Sequence, residues 1–230
     1  MIKIYLIIKN LILKKGDRLI YETFQEFIET NKLADYIVSD INIEDSKVIF
    51  ILESPHKKEV KKKYPVAGDT GRNMSDVLFQ KKEALGILIT EELKKKKNKL
   101  KYDEEILKFG IVNISSLPLK KEAYTLDNLS FMEDLFFLRE NITKDKNRID
   151  FNFRKNKDEK NNLIEILVDV LKSKLQLNNK KIILCGGFAQ AFYEKAFGKD
   201  KYNKTLLVSH PINWRLANKE LKKKIDDYIN

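Results

Sequence analysis

The sequence is poor in the residues that build covalent or metal-based sites. Cys185 is the only cysteine among 230 residues. One cysteine cannot form an intramolecular disulfide or a cysteine-ligated cluster, and the apolar run around it predicts a buried, unreactive thiol. There are also only two histidines, His56 and His210, and four prolines. Both histidines stand beside a proline, just after an apolar run, which makes these two places the first candidates for a functional site.

Long hydrophobic runs are absent as well. Residues 1–15 are apolar but are interrupted by Lys3, Lys9 and Asn10, and they contain no Ala-x-Ala-type cleavage site. A membrane span needs about 20 consecutive apolar residues. We therefore expect a cytoplasmic protein that has no signal peptide and no membrane partner.

Acidic residues are outnumbered, with 45 Lys and Arg against 34 Asp and Glu and a net charge of +11. Such an excess favours an anionic partner, with nucleic acid first and an acidic membrane surface second. The excess is almost entirely lysine, in a chain also rich in isoleucine and asparagine. A solvated, lysine-rich surface without such a partner is therefore the alternative.

Four short apolar runs predict the strands of a sheet. They are rich in β-branched residues and lack clean alternation, as in strands that are covered on both faces. They span residues 47–52, 109–114, 181–186 and 205–210. Helical patterns cover about 17–36, 72–97, 127–140, 160–175, 187–197 and 215–229. Strands that alternate with helices predict one α/β domain, residues 1–230, with a mainly parallel four-stranded central sheet.

Three segments are predicted to be accessory to this domain. Residues 1–45 are interpreted as an N-terminal helical extension. Residues 92–105 are highly charged and are interpreted as a helix or linker. Residues 144–162 are polar and poor in apolar pattern, which favours a mobile insertion.

Polar residues stand at the ends of three of the apolar runs. Glu53-Ser54-Pro55-His56 follows the first, Asn113 closes the second, and Ser209-His210 closes the fourth. In parallel α/β sheets, ligands bind beyond the carboxyl ends of the strands. An asparagine there can read a base edge with one donor and one acceptor. We therefore expect Glu53, Asn113 and His210 to share a cleft.

Glycines mark two further joints between a loop or strand and a helix. Gly68 and Gly71 are predicted to permit positive φ and close backbone approach, and the amides at Arg72-Asn73, opening a helix, could hold an anion. Gly186-Gly187 is more readily explained by close packing of a helix on a strand. The sequence has no nucleotide-binding glycine motif, so no cofactor is expected.

Together, in this order, these motifs resemble the uracil-DNA glycosylase superfamily over about residues 47–221. Glu53 to His56 looks like its first motif, an acidic or polar residue and a proline after a strand. Residues 65–74 are similar to the glycine-containing stretch of the bacterial and archaeal branch that usually carries an iron–sulfur cluster. Asn113 falls where the family places its base-reading asparagine. Residues 183–189 resemble its strand–glycine–helix joint, and residues 209–211 look like its closing His-Pro motif.

The resemblance implies a three-layer α/β/α sandwich and a DNA-repair hydrolase that cleaves the N-glycosidic bond of a flipped base. Glu53 would stabilise the sugar cation or orient water, His210 would donate to the leaving base, and Asn113 would read it. Arg72, Ser209 and Arg215 would hold phosphates, and Trp214 would fill the gap in the duplex or stack on a neighbouring base. The implied contacts to base or DNA are Ser54, His56, Val66, Gly68, Gly71, Arg72, Asn73, Ser209, Asn213, Trp214 and Arg215.

The chain departs from the family pattern in ways that keep other functions open. Leu52 replaces a usual glycine, Val66 replaces a base-stacking phenylalanine, and the cluster cysteines are missing. His56 has no role in the implied scheme, so the base need not be uracil. One alternative is a catalytically silent module that binds modified or single-stranded nucleic acid, for instance in phage defence.

Two further alternatives concern metal and the absence of a site. Glu53, His56, Asp69 and His210 could in principle serve a metal-dependent hydrolase, although their spacing matches no metal motif and no metal is predicted. A basic α/β protein without any site is the last alternative. It leaves both His-Pro strand ends unexplained.

Overall fold

The computed structural model describes residues 28–29, 32–126, 129, 132–144, 162–175, 180–216 and 218–230. The strands are β1 (Val48–Leu52), β2 (Phe109–Asn113), β3 (Lys181–Cys185) and β4 (Leu206–Val208). The α-helices are α1 (Lys57–Lys62), α2 (Asp69–Phe79), α3 (Leu85–Lys97), α4 (Glu104–Leu107), α5 (Glu133–Lys144), α6 (Asn162–Lys174), α7 (Gly187–Phe197), α8 (Lys199–Tyr202) and α9 (Asn218–Ile229). Among the described residues, 3₁₀ helices span Ala34–Tyr36, Lys121–Ala123 and Pro211–Leu216.

The four strands form one parallel sheet in the order β2-β1-β3-β4. The register pairs Leu52 with Asn113 and Cys185 with Val208, so the strands finish along one edge. We call the side of the sheet at which the four strands end the carboxyl edge, and the side at which they begin the amino edge. The predicted α/β domain with a four-stranded parallel sheet is confirmed.

Helices cover both faces of this sheet. Ile49 and Ile51 of β1 belong to a core shared with α5, α6 and α7. Val48, Phe50 and Leu52 belong to a second core, shared with α2, α3 and α9. Because both faces are buried, every residue of β1 is apolar and the strand shows no alternation. The fold is therefore a three-layer α/β/α sandwich.

Helix α7 lies where it was predicted, but the continuous helix predicted over 72–97 is wrong in its middle. Helix α2 begins at Asp69 and ends at Phe79, the following residue Gln80 has φ 54°, and α3 begins after Ala84. The hydroxyl of buried Ser75 bonds to the carbonyls of Lys81 and Glu83 and so closes the turn. A non-glycine left-handed residue gives no composition signal, which is why the break was missed.

Residues 37–42 lie along the outer edge of β2, and we call them the edge strap. Val38 N–H donates to the Ser116 carbonyl, and Ile41 forms an antiparallel bridge with Ile111. The described part of the predicted N-terminal extension comprises residues 28–29, which are helical, and residues 32–45, which contain the Ala34–Tyr36 3₁₀ helix and the edge strap. The edge strap completes the sheet layer.

Two other predicted segments can be placed. Residues 92–105 contain the end of α3 and the beginning of α4, joined by residues 98–103. Of the predicted insertion 144–162, only the terminal residue at each side, in α5 and α6, falls within the described residues. Within the described ranges, every helix is too short or too polar to cross a bilayer.

Candidate functional site

The carboxyl edge brings the two histidines together around Glu53. Burial lowers the pKa of His210, and the charges of Lys120 and Arg139 lower it further, whereas the carboxylate of Glu53 opposes this. Burial likewise lowers the pKa of His56 to about 4; the charges of Lys120, His210 and Arg139 lower it further, whereas that of Glu122 opposes this. Both imidazoles are therefore neutral at pH 7.

Glu53 lies at the end of β1 and is only 8% exposed. Its Oε1 accepts a hydrogen bond from Arg139 Nε of α5 at 2.6 Å, and its backbone carbonyl accepts one from Ser115 N–H. Oε2 has no partner among the described residues. One oxygen is thus fixed and the other is available to a ligand or water.

Ser54, predicted to bind base or DNA, has hydrogen-bond partners within the protein, and its Oγ–H donates to Glu53 Oε1 at 3.5 Å. Its Oγ accepts a hydrogen bond from the Leu119 N–H at 3.3 Å, and the residue is buried. This bond joins the end of β1 to the loop after β2, which carries Lys120 toward the two histidines.

His210 is held in one orientation by its own loop. The Ile212 N–H donates to His210 Nδ1 at 3.3 Å. In a neutral imidazole whose Nδ1 accepts, the proton resides on Nε2. His210 can therefore donate a hydrogen bond from Nε2 without carrying a positive charge. Gly186, at φ 87°, lies behind it, and a Cβ there would be 3.4 Å from His210 Cβ.

Asn113 ends β2, and both of its backbone polar groups are bound by buried charges. Its N–H donates to Asp40 Oδ1 at 2.8 Å, and its carbonyl accepts from Lys174 Nζ at 2.7 Å. Asp40 and Lys174 pair with each other at 3.0 Å, and each side chain is 9% exposed. The strand end is thereby fixed from outside the sheet.

The side-chain amide of Asn113 has no such partner. The residue is 1% exposed, and its Nδ2 is buried without an acceptor among the described residues. An unsatisfied buried donor costs about 1–3 kcal/mol, so such groups are rare unless a ligand uses them. The Nδ2 of Asn113 is therefore a buried donor whose acceptor is not among the described protein groups.

Glu59, three residues after His56, is a site residue that the sequence interpretation missed. Its carboxylate accepts the N–H of His56 at 2.5 Å and the N–H of Val66. It is 6% exposed, and burial raises its pKa to about 7. Its spacing from His56 is that of a capping box, which was the available signal. One side chain thus joins the loop after β1 to the loop before α2.

The glycine loop differs from its prediction in two respects. Gly68 has φ −112° and Gly71 lies inside α2, so neither takes positive φ; Val66 does, at 47°. The close approach predicted at Gly71 is confirmed, because a Cβ there would lie 1.7 Å from the Val66 carbonyl oxygen. The Arg72 amide bonds to the Gly68 carbonyl, so the anion site predicted at the Arg72-Asn73 amides is wrong.

The side chains of Arg72 and Asn73 differ in exposure and in their contacts. The Arg72 guanidinium is exposed and pairs with Asp69. Asn73 is 3% exposed, and its Nδ2 donates to the carbonyls of Pro211 and Ile212 at 3.1 and 3.0 Å. Asn73, predicted to touch base or DNA, thus positions the loop that orients His210.

Trp214 does not project from that loop, so its predicted insertion into a duplex is wrong. It is 0% exposed, its ring lies 6.1 Å from Phe50, and its Nε1 donates to the Ser209 carbonyl. The exposed residues of the loop are Ser209, Ile212 and Asn213. Arg215 continues the 3₁₀ helix, and its side chain lies outside what the structure describes.

The remaining predictions concern metal and the thiol. Among the described residues, no group of three or more His, Cys, Asp or Glu side chains is arranged to hold a metal ion. Asp69, the fourth residue of that alternative, instead pairs with Lys58 and Arg72 at the surface. Cys185 is buried, and burial raises the pKa of its thiol.

A scan of the chain against models of protein families and a search of curated proteins each found no match. The chemistry of the carboxyl edge is therefore the guide to function.

Proposed function

We propose that this chain hydrolyses the N-glycosidic bond of a base flipped out of DNA, with Glu53, Asn113 and His210 as its catalytic residues. One observation carries the proposal: the buried, unpartnered Nδ2 of Asn113 stands at the same sheet edge as a carboxylate and a neutral imidazole. A base carbonyl is the kind of acceptor that this donor lacks.

The reaction needs stabilisation at both ends of the breaking bond. The sugar acquires oxocarbenium character and the departing base acquires negative charge. Glu53 Oε2 would face the sugar cation or orient the attacking water, while Arg139 fixes Oε1. Arg139 thus acts as a positioning residue for the carboxylate.

His210 and Asn113 would act on the base. His210 Nε2–H would donate to the oxygen on which negative charge develops, and Asn113 Nδ2 would donate to a base carbonyl. A neutral donor that is already oriented needs no proton transfer before the bond breaks. The Ile212 N–H supplies that orientation.

The loop after His210 supports contact with DNA, but with Ile212 rather than Trp214 as the residue that enters the duplex. Ile212 is 49% exposed, and proteins that bend or open duplexes insert apolar side chains of this kind between bases. We assign to Ile212 the gap-filling role that buried Trp214 cannot have. Ser209 and Asn213, exposed beside it, would contact phosphates.

A second candidate is a module that binds a modified base without cutting it. Val66, at the position of the stacking aromatic, is 1% exposed and offers no face to a base. The flipped base would then be held with less stacking energy, which suits recognition of an unusual base. The same experiment separates the two functions.

The test is release of bases from oligonucleotides that contain uracil, hypoxanthine, xanthine or hypermodified bases, detected as abasic sites cleaved by alkali. We expect Glu53→Gln and His210→Gln to lower the rate of release at least about a hundredfold. Glu105→Gln is the matched control, because Glu105 pairs with Lys108 at the amino edge. Binding to one of these oligonucleotides without any release would establish the silent module instead.

A further inference from the structure

Helix α1 places a row of lysines next to the candidate site. It begins directly after His56, at the carboxyl edge, and packs against the 3₁₀ helix Lys121–Ala123. The exposed lysines of α1 and its last turn are Lys57, Lys58, Lys61, Lys62 and Lys63. Together with Lys120 and Lys121 we call these residues the basic rim.

Much of the basic rim lacks a counter-charge. Lys57, Lys61 and Lys62 have no partner among the described residues, whereas Lys58 pairs with Asp69. Lysines four residues apart on a helix repel each other, and α1 contains two such pairs. The helix is held by Glu59 and by Lys63 in the left-handed conformation at φ 63°. The protein thus retains a short helix next to the site although the lysines of that helix repel each other.

The positive field of the rim extends into the site. The charge of Lys120 lowers the pKa values of both His56 and His210, and its effect on His56 exceeds the opposite effect of Glu122 in the neighbouring 3₁₀ helix. A polyanion attracted to the rim would therefore be drawn toward the site.

The chemistry of α1 selects among anionic partners. Membrane-bound helices insert exposed apolar side chains between lipids. The only apolar residue of α1 is Val60, which packs against the core. Lysines act as point charges on phosphate, and contacts to phosphate carry no sequence information. The rim suits a partner with many phosphates and no demand for apolar contact.

We infer that the phosphate backbone of a DNA strand lies along the basic rim, which places one of its bases over Glu53, Asn113 and His210. This inference rests on the proposed function. It adds the surface that recognises the strand and makes that recognition independent of sequence.

The test compares two triple variants with the same change in charge. Lys57→Gln/Lys61→Gln/Lys62→Gln removes unpaired lysines of the rim. Lys94→Gln/Lys97→Gln/Lys99→Gln removes exposed lysines in and after the last turn of α3, where neighbouring Lys96 pairs with Asp45 ahead of β1. Binding of a fluorescent 20-nucleotide single-stranded DNA is measured by anisotropy from 50 to 200 mM salt.

We expect the rim variant to reduce the slope of log affinity against log salt by about 2 to 3, because each phosphate contact contributes about 0.7 to 0.9. Near 0.1 M salt the corresponding loss of affinity is on the order of a hundredfold. The α3 variant should bind like the wild type. Equal losses in both variants, no loss in the rim variant, or no binding by the wild type would overturn the inference.

Two additional measurements keep this inference separate from the proposed function. Glu53→Gln should retain the binding of the wild type, so a rim effect without any base release would leave the surface established and the chemistry rejected. Base release that is unaffected in the rim variant would support the chemistry and reject the rim as the DNA-binding surface. Cosedimentation with phosphatidylserine vesicles that depends on the rim, without DNA binding, would assign the surface to membranes.

Discussion

The two edges of the sheet treat polar residues in opposite ways. At the amino edge, charged residues pair in the open: the side chain of Glu105 is 68% exposed in its pair with Lys108, and Asp45 is 56% exposed in its pair with Lys96. At the carboxyl edge, Glu53 and Asn113 are 8% and 1% exposed. Glu105 and Asp45 are thus solvated at the amino edge and Glu53 is desolvated at the carboxyl edge, although Glu92, near the amino edge, is also buried, where it pairs with Lys95 and accepts the Asp103 N–H.

This difference shows that the fold buries polar groups at the carboxyl edge at a cost in stability. Burying a polar or charged group is costly unless a partner satisfies it. At the carboxyl edge Arg139, Asp40, Lys174 and Glu59 supply such partners, and the Asn113 side chain still lacks one. A protein without a ligand at this edge would gain by placing apolar residues there.

The largest effect on stability is expected for the buried pair behind Asn113. Lys174→Met should lower the free energy of unfolding by about 3–5 kcal/mol, because Asp40 remains as a buried carboxylate without its cation. Lys96→Met at the amino edge should cost less than about 1 kcal/mol. Urea denaturation of both variants measures the free energy of unfolding. Similar losses of this free energy would mean that the two edges do not differ in the cost of removing a cation.

The next effect is a pH dependence that comes from Glu59. Its pKa in the folded protein is about 7, raised by burial from an ordinary 4.5. Its stabilising contribution is therefore fully present below about pH 4.5 and is lost as the pH rises through 7. The difference corresponds to about 3 kcal/mol.

Glu59→Gln removes this titration. The stability of the wild type relative to this variant should therefore fall by about 3 kcal/mol between pH 4.5 and 8, measured by urea denaturation at several pH values. His56, whose pKa is lowered, contributes the opposite trend but does so in both proteins. A constant difference across this range would show that Glu59 is not buried as a carboxyl group.

The smallest effect on stability, and the sharpest comparison, comes from two asparagines that each hold two carbonyls. Asn73 binds those of Pro211 and Ile212 at the carboxyl edge, and Asn42 binds those of Leu107 and Phe109 at the amino edge. Asn73→Ala should cost about 1–2 kcal/mol. Asn42→Ala should cost about 1 kcal/mol more, because its φ is 53°.

Only Asn73→Ala should impair the site, because it releases the loop that orients His210. We expect its rate of base release to fall about tenfold or more at temperatures where both variants remain folded. If Asn42→Ala lowers the rate equally, loss of stability alone explains the effect.

The sequence is sufficient to predict the sheet and which residues lie at its carboxyl edge. Strands β1 and β2 are buried throughout and β3 and β4 over most of their length, so an apolar composition without alternation predicts them. Glu53 and His210 could be assigned to one edge because parallel strands finish together. Trp214 was misplaced because a loop position says nothing about the direction of its side chain.

The partners of the site could not be predicted from the sequence. Arg139 lies 86 residues from Glu53, and Lys174 lies 61 residues from Asn113. Each sits in a helix where a charged residue is ordinary, and only the packing of α5 and α6 on the sheet turns it inward. Local patterns contain no information about such pairs.

The edge strap has a consequence for association between molecules. Strand β2 is one of the two outer strands of the sheet, yet its outward backbone groups are occupied: Ile111 by Ile41, Asn113 by Asp40 and Lys174, and the Phe109 carbonyl by Asn42. An edge without free donors and acceptors cannot template a strand from another chain. Removal of residues 37–42 would expose the donors and acceptors of β2, so the strap protects this side of the sheet from pairing with a strand of another chain.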